Sequence, residues 1–494
     1  MSEKILKKDD EKETSIEAHK TSNRNALLWY SYDMADTFFS QTVISLAFTP
    51  YAMLLGAIQT DWSFVKTFLI VSIFMAGSNL LVAIISPILG SISDTTGKRK
   101  PAVIIVASIM VATTALMAVW RNFWWICFLF VIANFCYQAG RMFYDSQIPF
   151  IAETSRRSMV QAIGGALAAF GSLIGIGLGL LISSVTIPWA SVNTNIWEIG
   201  EAGYGTAVIG GLPWLCLAAA GVIVIMSIPY LFHKEVETPT NLTPKENLKQ
   251  SFRTLGVSLR AIFKDRNSIL FFLGWFFLVD AANTTILYMV PIVQGAVGVT
   301  SQLETYAIIA TGIILSIVFG ILTGLILKRL GPKLSFILSG IGWSMALIFA
   351  ILAGLIYKTE VVDDLTIIHT LPSWIMYAGA FCIGIGFGSI WIIGRQFIMV
   401  LSPPSRLAQY NGVQKIAGRV SAIVSPLIFS GIMILAKNYT IINHAFRYAL
   451  ASVLAFFLIG MFLIGFIRDP YKRYNAGERA PYPGIYDKKI KQKL

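Results

Sequence analysis

Charge is scarce in this sequence. Only 13% of its 494 residues are Asp, Glu, Lys or Arg, about half the proportion of roughly 25% found in soluble domains. A chain so poor in charge and 55% hydrophobic is neither a disordered polymer nor an ordinary soluble enzyme of several domains. Cysteine is scarce too. Cys127, Cys136, Cys216 and Cys382 lie in apolar runs without metal-ligand spacing and read as small packing residues. The four histidines, His19, His233, His369 and His444, do not cluster. With no Ser/His/Asp set and no phosphate-binding loop after a strand, neither an enzyme nor a cofactor is expected. Gly171, Gly175 and Gly179 are embedded in apolar residues, which suits close helix packing rather than nucleotide binding.

What the sequence has in plenty is apolar runs of the length that crosses a bilayer core, about 20 residues for ~30 Å. Twelve are predicted as helices: 27–58, 66–92, 101–120, 123–149, 160–188, 211–232, 268–295, 305–327, 334–357, 373–400, 408–435 and 445–467. Helices satisfy their own backbone groups in lipid, and the alternating ten-residue segments of a β-barrel are missing. Orientation follows from the basic residues. Of the 39 Lys and Arg, 30 fall in the segments on the side of the chain ends, five on the other side and four within spans. Both termini are therefore expected in the cytoplasm. The same asymmetry accounts for the net charge of +13 without nucleic acid. Residues 1–25 are polar and of mixed sign, which reads as a disordered cytoplasmic tail and not as a secretory leader. Residues 468–494 read as a second cytoplasmic tail.

The longest internal polar segment, 233–267, carries Leu248, Phe252, Leu255, Leu259 and Ile262 at helical spacing with Lys249, Arg253, Arg260 and Lys264 between them. It is predicted to be an amphipathic helix on the membrane surface. It divides the chain into a bundle over 26–232 and another over 268–467. These halves repeat each other. Asp33-Met34-Ala35-Asp36-Thr37 matches Asp280-Ala281-Ala282-Asn283-Thr284. Gly90, Asp94, Gly97 and Arg99 match Gly324, Lys328, Gly331 and Lys333. Gly140-Arg141-x-Phe143 with Pro149 matches Gly394-Arg395-x-Phe397 with Pro403. Three matches in one order at equivalent spans imply a parallel repeat of two six-helix bundles related by a pseudo-two-fold axis, the arrangement of major facilitator transporters.

The loop Gly90-x-x-x-Asp94-x-x-Gly97-x-Arg99-Lys100 resembles the signature of the major facilitator superfamily between its second and third spans. Trp29-Tyr30-Ser31-Tyr32-Asp33-Met34-Ala35-Asp36, Phe48-Thr49-Pro50-Tyr51, Asn411-Gly412 and Gly418-Arg419 resemble the vacuole-effluxer-like family, which includes the autophagy-linked amino-acid effluxers of fungal vacuoles. That family's Tyr-Asp-Trp-Ala-Asn is altered here by Met34 and Asp36. The resemblance implies an all-α membrane protein with the major facilitator fold. It also implies secondary active transport of a small polar solute by alternating access, with amino-acid efflux foremost. A cation-coupled sugar or glycoside symporter and a non-transporting membrane sensor or scaffold are the alternatives. The expected partners are the lipid bilayer, a small-molecule substrate and a co-transported proton or cation. A monomer in the cell membrane is expected.

Charges within spans are costly, at least about 2.5–3.5 kcal/mol each on insertion scales, and each marks a candidate site. The acids are Asp33, Asp36, Asp145 and Asp280; the bases are Arg141, Arg395, Lys415 and Arg419. Asp33, Asp36, Arg141, Asp145, Asp280, Asn283, Trp391 and Arg395 are assigned to substrate binding and coupling. Arg141 and Asp145 share a helix face at four-residue spacing, as do Trp391 and Arg395. An acid shielded from water can hold a proton near neutral pH, so Asp33 or Asp280 is a candidate for proton coupling. Gly90, Asp94, Gly97, Arg99, Lys415 and Arg419 are assigned to a cytoplasmic gate.

Overall fold

The structure, a computed structural model, describes residues 22–60, 62–96, 98–151, 157–186, 205–235, 245–246, 249, 252–253, 256, 262–299, 301–362, 365–401, 407–437 and 442–467. Among them are twelve helices long and apolar enough to cross a membrane. In chain order they are Asn23–Gly56, Val65–Ile85, Arg99–Leu116, Phe123–Asp145, Ile163–Ile182, Leu212–Phe232, Arg266–Leu287, Leu303–Gly324, Gly331–Leu352, Ile375–Ile398, Ile416–Ala436 and Asn443–Gly465. They are called spans one to twelve below. An even number of spans puts both described ends on one face, here the terminal face; the opposite one is the far face. The spans form two six-helix halves, with span two packed on span eleven and span five on span eight across the division.

Local sequence sets the span boundaries. Ser22, Asn122, Asp265 and Ser301 each accept a backbone N–H in the first turn of spans one, four, seven and eight, satisfying donors that have no partner within the helix. Spans eight and nine are divided at Gly331, whose φ of 77° is open to glycine at no steric cost. Pro332 then starts span nine. Gly97, the repeat partner of Gly331, lies outside the described residues.

Three features depart from the expectation. Span one changes to a nine-residue π-helix over Ser40–Phe48, and the chain beyond span seven does so over Ile292–Ala296. The repeat therefore extends to backbone geometry. Between spans nine and ten, Ile356–Val362 and Leu365–Thr370 form two antiparallel strands, β1 and β2. Counting apolar runs placed only residues 356 and 357 of this hairpin in a helix and left the rest as a connection without structure, although its Val, Ile and Thr residues favour strands. Arg447, one of the five basic residues counted on the far side although the predicted bounds 445–467 include it, lies within span twelve and is only 5% exposed. Its guanidinium donates to the carbonyls of Ala296 (2.8 Å), Ile351 (3.1 Å) and Ala353 (3.2 Å). It thereby ties the end of span nine to the π-helical turn after span seven. The surface helix predicted over 233–267 lies mostly outside the described residues.

On the far side the two halves are joined directly. The Ser72 hydroxyl of span two hydrogen-bonds both the Tyr288 hydroxyl and the Ser430 hydroxyl, each at 2.6 Å. The Phe68 ring packs on the rings of Tyr288 and Phe429. The Ser45 hydroxyl donates to the carbonyl of Ile286 at 3.3 Å. Leu46, Ile176, Val290 and Tyr306 form an apolar cluster beside these bonds.

Candidate functional site

Spans one and four bring the acids and the first arginine together. Asp36 is 1% exposed, and its carboxylate accepts from Arg141 Nη1 at 3.3 Å. The same nitrogen donates to the Tyr137 hydroxyl at 3.2 Å, one helical turn earlier on span four. Arg141 retains 34% side-chain exposure, although it lies within a span. Asp33, one turn before Asp36 on span one, is half-buried. It sits in the electrostatic field of Arg141, Asp145 and, from the other half, Arg395. Arg419 of span eleven lies in the field of Tyr137, Arg141, Asp145 and Asp36. Three acids of the N-terminal half thus surround one arginine, and two arginines of the C-terminal half face them.

A pair of glycines lets the arginines reach these places. A Cβ on Gly140 would strike the hydroxyl of Tyr32, and one on Gly394 would strike the ring of Trp275. Each glycine of the Gly-Arg repeat therefore admits an aromatic side chain from the neighbouring span and brings the next residue, Arg141 or Arg395, to the division between halves. Trp391 is half-buried and meets Trp275 edge-on, with ring centroids 5.9 Å apart. The aromatic stretch of span one has a packing role. Trp29 stacks on Tyr144 at 4.1 Å and donates from Nε1 to Gln147 at 3.1 Å.

The structure separates one predicted residue from the rest. Asp280 is fully buried. Its Oδ1 accepts from the backbone N–H of Ser425 at 3.2 Å, and among the described residues its buried Oδ2 has no hydrogen-bond partner. Asn283, one turn further, is half-buried. Of the predicted gate, Arg99 is 7% exposed and its guanidinium lies 4.6 Å from the centre of the Phe150 ring. Gly97 and the side chains of Asp94 and Lys415 lie outside the described residues, and of Gly90 the structure describes only a helical position. Arg419, assigned to that gate, lies in the field of the charge cluster. Tyr137 and Ser425 were not singled out from the sequence. The four-residue spacing of Tyr137 and Arg141 and the Ser425-Pro426 break in an apolar run would have pointed to them.

Comparison with known proteins agrees with this architecture. The sequence model of the Major Facilitator Superfamily matches residues 37–426. An uncharacterized MFS-type transporter of Bacillus subtilis (strain 168), YxiO, is 24% identical over 444 residues, covering 89% of this chain and 94% of that protein. Among solved structures, a point mutant of the nucleoside transporter NupG superposes with a TM-score of 0.63, at 11% identity over 90% of this chain and 100% of that one. A second NupG structure gives 0.57 at 12% identity with the same coverage. At such identities the likeness is one of fold.

Proposed function

Because this chain belongs to the Major Facilitator Superfamily, we propose that it carries a small zwitterionic solute, an amino acid foremost, across the cell membrane by alternating access, in the direction of efflux and coupled to protons. The observation that carries this reading is the mixed-sign cluster of Asp33, Asp36, Arg141 and Asp145 facing Arg395 and Arg419 across the division between halves. A zwitterion needs a cation for its carboxylate and an acid for its ammonium group. An arginine can hold a carboxylate through two hydrogen bonds, and half-buried Asp33 can take the ammonium group. Trp391 beside Arg395 supplies an apolar wall for the side chain. The half-exposed Arg141 and the far-side seal support a cleft open toward the terminal face, which the distribution of basic residues assigns to the cytoplasm. Substrate entering there competes with the Asp36–Arg141 pair, and a proton on the released Asp36 carboxylate balances the charge that the substrate displaces. The resemblance to vacuole effluxers supports the amino-acid class.

Thermal stabilisation of the purified protein in detergent tests this reading. A ligand at a hundred times its Kd stabilises the folded state by about 2.7 kcal/mol. Amino acids are expected to raise the unfolding midpoint, and Asp33→Asn or Arg395→Gln to abolish that rise. Stabilisation by sugars or nucleosides alone would overturn the substrate class.

A further inference from the structure

Asp33 and Asp280 hold the same place in the repeat, yet they face different surroundings. Asp33 is half-buried among charges. Asp280 is fully buried and is bonded to span eleven. The place it bonds is a break in that helix. Pro426 lies inside the helix over Leu407–Lys437, so the carbonyl of Ala422, four residues earlier, loses the N–H it would otherwise accept. Asn79 of span two donates to that carbonyl at 3.2 Å. The N–H just before the proline, that of Ser425, is taken by Asp280. Further toward the terminal face, a Cβ on Gly418 would lie 3.6 Å from Val279, the residue before Asp280. Span eleven is therefore held against span seven at Gly418 and at Ser425, seven residues apart. Arg419 follows Gly418 directly and lies in the field of Tyr137, Arg141, Asp145 and Asp36.

We propose that Asp280 is a positioning residue of span eleven, and that Arg419, which it places, is a substrate-contacting cation of the C-terminal half that receives a carboxylate group. The carboxylate assignment rests on the amino-acid reading above; the placing of Arg419 by Asp280 does not. The role of Asp280 is to accept a hydrogen bond, which the amide oxygen of asparagine also does. A role in charge or proton transfer would not survive that exchange.

Two measurements on the full-length protein in liposomes decide the matter. The four native cysteines are buried, so an Arg419→Cys variant offers a cationic methanethiosulfonate reagent one cleft-facing thiol. Adding Asp280→Asn is expected to leave its modification rate within about twofold, whereas Asp280→Ala or the milder Asp280→Ser changes it by about tenfold. Unchanged reactivity in Asp280→Ala and Asp280→Ser would overturn the positioning. In the second measurement, Asp280→Asn keeps the wild-type KM and pH profile for tritiated L-leucine. Arg419→Gln raises that KM about tenfold but leaves inhibition by isoamylamine, which lacks the carboxylate, unchanged. Loss of transport in Asp280→Asn, or an unaltered KM in Arg419→Gln, would overturn the proposal. If the wild type takes up no L-leucine, the amino-acid reading and the carboxylate assignment fail together, and the thiol measurement still decides the positioning.

Discussion

At the scale of single residues, glycine matters most where a side chain from another span occupies its missing Cβ. Tyr32 is 1% exposed and is flanked by the rings of Tyr144 and Tyr230 at 5.3 and 5.2 Å, so it has little freedom to move away from a methyl group on Gly140. Trp275, 3% exposed, is confined in the same way above Gly394. Overpacking of this kind costs about 1–3 kcal/mol. Gly140→Ala and Gly394→Ala are each expected to lower the thermal midpoint measured by scanning fluorimetry in detergent. Gly177→Ala, where no atom lies within 4 Å of the added Cβ, serves as the control. Equal midpoints for Gly394→Ala and Gly177→Ala would show that Trp275 moves freely. The sequence revealed that each glycine precedes an arginine in both halves. It did not reveal which aromatic side chain fills each space, because Tyr32 and Trp275 come from other spans and do not hold equivalent places in the repeat.

At the scale of elements, span three and the end of span six complete each other. Span three starts at Arg99 without a side-chain cap of its own. Its first amides, those of Arg99 and Lys100, donate to the Glu235 carboxylate at 2.6 and 2.9 Å, a favourable place for negative charge at a helix N-terminus. In return, Lys100 Nζ donates to the carbonyls of Leu231 and His233 at 2.7 and 2.8 Å. His233 is 1% exposed at this junction. Burial pushes its imidazole below the ordinary value of 6.5, the Lys100 ammonium acts in the same direction, and a hydrogen bond to the Tyr230 carbonyl opposes both. The unfolded chain then binds a proton that the folded chain resists, so the contribution of His233 to stability is present above its ordinary value and is lost as the pH falls. The thermal midpoint is expected to drop between pH 7 and pH 5 by more in the wild type than in His233→Gln. Parallel pH dependence in the two proteins would remove His233 as the cause. The contacts between the two spans are not a short-range pattern, since Glu235 and Arg99 are 136 positions apart.

At the scale of the whole molecule, buried contacts join the two halves on the far side. Ser72, Tyr288 and Ser430 join spans two, seven and eleven through buried hydroxyl groups, and alternating access requires these bonds to break. A hydrogen bond of this kind contributes about 1 kcal/mol net, which is roughly fivefold in the ratio of two states. Tyr288→Phe removes one such bond and keeps the ring packing against Phe68 and Phe429. Spin labels at exposed Lys66, on span two, and Trp374, just before span ten, both near the far face, are expected to show a larger fraction of long distances in Tyr288→Phe than in the wild type. Identical distance distributions would show that the hydroxyls do not hold the seal.

The sequence by itself determined the twelve spans, the side on which basic residues gather, the division into two related halves and the arginines that follow glycine. Each of these is written in short-range pattern, because a helix in lipid must satisfy its backbone locally and hide or pair every charge. Only the tertiary structure decided which partners each charge meets. Asp33 and Asp280 are indistinguishable in the repeat, but one faces other charges and the other holds the amide beside Pro426. Arg447 looked like a loop residue at a span edge, yet it is buried against three carbonyls at helix ends. Arg419 lies in the field of acids from the other half, which its own span does not reveal. A side chain's role in the membrane is fixed by the partners that other spans bring to it, and those partners lie far away in sequence.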